Sequence, residues 1–155
     1  MKQNFTIGIA FFLACCTTLS LLSAITLNSA DKVIGKWLNE EQDGAVEIFK
    51  KGDSFYGKLI WLKKGPNTLD EKNPDASKQK LKLLGKEILQ NFTYTADSKL
   101  WQNGTIYDPK SGKTYSCKMW LNDNGSLSIR GYIGFSFIGR TTVWTRPSSS
   151  HPVNL

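Results

Sequence analysis

Histidine is nearly missing from this chain: its one copy in 155 residues, His151, lies in the polar stretch after Arg146. A Ser–His–Asp triad, a Cys–His pair or a His-built zinc site needs an imidazole held inside the fold, and the sequence supplies none there. Cysteine is almost as scarce. Cys15 and Cys16 fall in the first thirty residues and Cys117 stands alone, which excludes CxxC chemistry and leaves the rest of the chain without an internal disulfide. No Gly-rich phosphate loop, internal repeat or low-complexity tract occurs. Acidic residues number 13 against 20 Lys and Arg. Those standing close together, Glu40 with Glu41 and Asp43 with Glu47, lie in or beside turns and read as solvated. The chain carries no familiar enzyme signature. An enzyme acting through Asp, Glu or Tyr inside the fold is the alternative these absences leave.

Long apolar runs are missing too, except at the start. Residues 5–27 carry no charge, Lys2 precedes them, and Asn28-Ser29-Ala30 leads to the first acidic residue, Asp31. This is the layout of a signal peptide over residues 1–30, cut near Ala30, and it predicts an exported protein, periplasmic or extracellular. The same run is long enough for an uncleaved anchor, and Leu13-Ala14-Cys15 loosely resembles the lipobox of a lipidated protein. Without residues 1–30, 19 basic and 13 acidic side chains remain, a net charge of +6. The remainder is enough for one domain over residues 31–146, with residues 147–155 expected to be a disordered tail.

What the chain does have is alternation. In residues 113–121, Tyr115, Cys117, Met119 and Leu121 fall on one face and Thr114, Ser116, Lys118 and Trp120 on the other, the period of a half-buried strand. Similar runs occupy residues 34–38, 45–50, 55–62 and 92–95, and four fill residues 100–146. Asp108-Pro109 with Gly112, and Asn124-Gly125, supply turn chemistry between them. Short strands at roughly ten-residue spacing are the signature of an all-β sandwich or barrel; the expectation is a single small antiparallel up-and-down barrel of about eight strands. Gly57, inside the third run, suggests a bulge at a barrel corner. Residues 63–79 break the spacing and form the one long connection, where Asn73-Pro74 fits the start of a short helix. Residues 82–89 read either as helix or as a buried approach to the next strand.

Residues 34–146 resemble the bacterial family DUF2147, whose members are generally exported and whose function is uncharacterised. The resemblance is carried by Gly35-Lys36-Trp37, Asn73-Pro74-Asp75, Leu84-Gly85 and the run from Gly104 to Pro109. It continues through Gly112 to Tyr115, Arg130 to Gly134, Gly139-Arg140 and Trp144-Thr145-Arg146. Where that family often has Arg in its central loop, this chain has Lys78, Lys80 and Lys82, which lack the guanidinium fork for bidentate anion recognition. More loosely, Gly35-x-Trp37 with a late-strand arginine is similar to lipocalin and calycin barrels. That likeness implies structural closure by Trp37 under Arg140 or Arg146.

An eight-stranded barrel is either filled or holds one small ligand. Leu59, Trp61, Tyr115 and Met119 are the predicted apolar walls, and Lys63 and Lys64 the predicted rim of a ligand site. Lys58, Lys63, Lys64, Lys78, Lys80, Lys82 and Lys86 form a basic band suited to envelope polyanions. Asp70, Glu71, Asn73 and Asp75 match no EF-hand spacing and read as a turn rather than a Ca²⁺ site. Nucleic acid suits a small basic barrel, but export argues against it. The expectation is a monomeric, non-enzymatic binder of a small apolar or amphipathic molecule, without metal or cofactor. The alternative is an interaction module with a filled core, touching a polyanion or a protein partner.

Overall fold

In the computed structural model, residues 29–135 and 137–154 are described; the predicted signal segment, apart from Ser29 and Ala30, lies outside them. Eight strands follow one another: β1 (Gly35–Leu38), β2 (Gly44–Lys51), β3 (Ser54–Leu62), β4 (Glu87–Thr95), β5 (Leu100–Asp108), β6 (Lys113–Leu121), β7 (Leu127–Tyr132) and β8 (Gly139–Trp144). Each pairs antiparallel with the next, so spatial order equals chain order. The sheet curls until its edges meet: Leu38 and Thr145 exchange backbone hydrogen bonds of 2.8 and 3.0 Å. The result is an up-and-down barrel of eight strands, the number that the sequence led us to expect.

Alternation decides which side chains face in. On β7, Leu127 and Ile129 are buried; they pair with Trp144 and Thr142 of β8 on one side and Leu121 and Met119 of β6 on the other. Phe55, Phe92, Trp101, Cys117 and Met119 close the layer inside. Gly57 is where the β3–β4 register shifts, and a Cβ there would sit 2.8 Å from Leu89 and 2.9 Å from Val46. The bend therefore needs a residue without a side chain.

One end is plugged. Ser29–Val33 forms a 3-10 turn whose Ala30 and Val33 are buried. Trp37 Nε1–H donates to the Val33 carbonyl (2.7 Å) and Trp101 Nε1–H to that of Ala30 (3.0 Å). The two buried indoles thus find partners in the plug, as buried indoles require. A chain starting at Asp31 would lack the Ala30 carbonyl that partners Trp101.

Two expectations are sharpened. The buried approach over residues 82–89 turns into β4 at Glu87, not into helix. The short helical turn in the long loop is Ala76–Lys78, and its cap is Asp75, whose carboxylate accepts from Ser77 N–H, rather than Asn73. In the stretch after Arg146, His151 packs edge-on against Trp61 at 4.7 Å, and Lys36 Nζ donates to the Val153 carbonyl (2.8 Å).

Candidate functional site: the barrel mouth

Because β1 runs away from the plug, the connections at residues 39–43, 63–86, 109–112 and 133–138 all gather at the opposite end. Between them opens a cavity of about 1090 Å³, just above the volumes of about 300–1,000 Å³ that commonly hold small molecules. Val46, Leu59, Ile88, Ile106, Ile129 and Trp144, from six different strands, supply apolar wall, with Tyr115 of β6. Above them the lining is charged and balanced. Glu41, Asp43, Glu71 and Asp108 face Lys64, Lys72, Lys110 and Arg140. Lys110 pairs with Asp43 (2.9 Å) and Arg140 with Glu40 and Glu41 (3.4 and 3.6 Å). Lys64 and Lys72 have no ion pair among the described residues.

A buried carboxylate fastens the long loop to this mouth. Asp70 accepts hydrogen bonds from the Tyr107 hydroxyl (2.6 Å) and Asn73 Nδ2 (2.6 Å), and pairs with Lys86 (3.0 Å), which also lies over the Tyr107 ring. Burial alone would push the Asp70 carboxyl up, but the three donors outweigh it and hold it below the ordinary carboxylate value. Burial and the adjacent Asp70 push the Tyr107 phenol the other way, up. Asp70 is thereby committed to tying the loop down and has no free oxygen for a cation. Asp75 is spent on Ser77 and Lys78. Among the described residues no group of three or more His, Cys, Asp or Glu is gathered as for a metal.

The predicted site residues separate into four places. Leu59, Tyr115 and Lys64 line the cavity. Met119 lies fully buried in the core and does not line it, while Lys63 stands beside the mouth, its backbone N–H on the Asp43 carbonyl. Trp61 is on the outside. The β2–β3 register shifts between Ala45 and Val46, leaving Ile60 as an extra residue. The bulge reverses the phase of alternation, so Leu62 takes the inward position that period-2 counting gives to Trp61.

At the plugged end, Arg146 stacks 3.7 Å from the Trp37 ring centroid and donates to the Lys36 and Lys32 carbonyls. Gly35 makes room for it: its φ is +113° and a Cβ would lie 2.7 Å from the guanidinium. Arg140, the other candidate cover for Trp37, is a mouth residue instead and takes no part in closure. Two features escaped sequence reasoning altogether. Tyr107 with Asp70 is one, since only the folded loop brings them together. The other is the exposed apolar set Ile133, Phe135, Phe137 and Ile138 between β7 and β8.

This architecture, an eight-stranded antiparallel barrel with a 3-10 plug, an arginine-covered tryptophan and an open mouth, places the protein in the lipocalin-like fold class. Protein HP1028 from the human pathogen Helicobacter pylori, described as belonging to the lipocalin family, is similar to this chain in its solved structure. The TM-score is 0.66, with 24% identity over 75% of this chain and 83% of that one, a likeness of fold. Residues 35–146 match the family described as uncharacterized protein conserved in bacteria (DUF2147), and the chain belongs to that family. No curated protein matches the sequence.

Proposed function

We propose that the protein is a non-enzymatic binder of a small apolar or amphipathic molecule, held in the barrel with its polar end at the mouth. The observation that carries this reading is the open cavity walled by Val46, Leu59, Ile106, Ile129 and Trp144 beneath a charged rim. Apolar depth suits a chain or ring, because burying such surface yields about 25 cal/mol per Å². The rim's four acidic and four basic side chains suit a dipolar or anionic headgroup, with Lys64 and Lys72 as the unpaired cations. A role at the cell envelope follows if residues 1–30 direct export.

Native mass spectrometry of protein purified from the cells that make it tests the reading. The expected result is an added mass of a few hundred daltons that an organic solvent extracts. Bare polypeptide in every preparation, with no apolar or amphipathic compound raising the melting temperature, would favour the interaction module instead.

A further inference from the structure

Among the described residues, the most exposed large apolar side chains are not scattered. Ile133, Phe135, Phe137 and Ile138, with relative exposures of 65, 70, 76 and 58%, share the single connection between β7 and β8. The Phe135 and Phe137 rings stack on each other at 5.6 Å, nearly parallel. The tip is held in shape from below. Ile133 and Ile138 are joined by a backbone bond of 3.2 Å, and Arg130 Nη2 donates to the Phe137 carbonyl (3.1 Å). It stands at the cavity mouth, because Ile133 and Ile138 also line the cavity. A soluble domain rarely leaves four large apolar groups together in water without a use for them.

Charge at the same end narrows the choice of partner. Lys63, Lys64, Lys72, Lys80 and Lys82 of the long connection, and Lys113 at the start of β6, have no ion pair among the described residues. Leu81, between two of them, is exposed as well. A stable protein interface takes about 20–30 residues and roughly 800 Å² from each partner, more than four side chains on one tip supply. Insertion among lipid headgroups needs no complementary surface, only apolar side chains to enter and cations to meet anionic lipids.

We infer that the mouth end docks on an anionic bilayer, with Phe135 and Phe137 entering the headgroup region and the unpaired lysines resting on the lipid phosphates. The cavity entrance would then face the lipid. The inference does not depend on the cavity's being occupied.

Flotation with vesicles tests it, using the full protein and two vesicle types: phosphatidylcholine alone, and phosphatidylcholine mixed with phosphatidylglycerol. The wild type should float with the mixed vesicles and be released by high salt, which screens such attraction. F135S/F137S should lose about a hundredfold in affinity, roughly tenfold or more for each phenylalanine kept in water, with an unchanged melting temperature. K80Q/K82Q should lose about tenfold or more on the mixed vesicles alone. In F135W the indole emission should shift to the blue on binding. Filling the cavity with Ile129→Trp should leave flotation intact, which separates this inference from the ligand reading. Equal flotation of wild type and F135S/F137S would overturn it. So would a wild type that ignores both vesicle types, and if F135S/F137S then dissociated a dimer, the tip's partner would be a second copy of the chain.

Discussion

Removing Ser29 and Ala30 should weaken the barrel out of proportion to their size. Ala30 is buried, and its carbonyl accepts the Trp101 indole N–H at 3.0 Å, with Trp101 itself 1% exposed. A chain beginning at Asp31 leaves that buried donor without its partner, at a cost of about 1–3 kcal/mol. Losing the buried Ala30 methyl adds about 0.8 kcal/mol. For a domain of this size each kcal/mol moves the melting temperature by about 3–5 °C, so a chain starting at Asp31 should melt roughly 5–19 °C below one starting at Ser29. Differential scanning calorimetry measures this directly. Trp101→Phe removes the donor, so in that background the same truncation should cost only the methyl contribution, about 1 kcal/mol. Equal melting temperatures for the two starts, or an undiminished truncation cost in Trp101→Phe, would refute the reasoning. If the N-terminal segment is cleaved on export, sequencing should find the new terminus at or before Ser29.

Three further outcomes are expected. Arg146→Ala should destabilise by about 1–3 kcal/mol, losing both a cation–π contact and two carbonyl partners, whereas Arg140→Ala, at the exposed rim, should leave thermal unfolding unchanged. Asp70 is held below its ordinary pKa in the folded state, so its contribution is fully present at neutral pH and disappears as pH falls below about 4, through the folded value. Urea titrations across that range should show a steeper acid loss for the wild type than for Asp70→Asn. Cys117, whose thiol burial pushes up to about 12, should resist maleimide in native protein and react on unfolding; rapid native labelling would contradict its burial.

Most of the fold was legible because a barrel strand carries its own signature. Tyr115, Cys117 and Met119 alternate with polar neighbours, and Asp-Pro and Asn-Gly turns punctuate the runs. β4 was shortened because Lys86-Glu87-Ile88-Leu89 has two adjacent apolar residues and no clean period. The site was legible in part. Leu59 and Tyr115 follow the alternation onto the wall, but Trp61 does not, since a bulge one residue earlier is a property of the β2–β3 pairing and not of β3 alone. Met119 faces inward as expected yet belongs to the core, and depth along a strand is not encoded in alternation. Choosing Arg146 over Arg140 as the cover of Trp37 needed the register of β8. The tail's seat on Trp61 was hidden for the same reason as the bulge.

Whether the mouth leads into usable space is tested most directly by adding volume to its wall. Ile129 lines the cavity from β7, so a tryptophan there should enter open space, whereas one at Met119 would overpack the core and report nothing about the cavity. A long-chain fatty acid titrated into the wild type should change Trp144 emission saturably and add about 2.7 kcal/mol of stability at a hundredfold excess over its dissociation constant. Ile129→Trp should abolish that response while melting as the wild type does. An Ile129→Trp protein destabilised by about 1–3 kcal/mol, as in a filled core, together with a wild type whose melting no amphiphile shifts, would contradict the account.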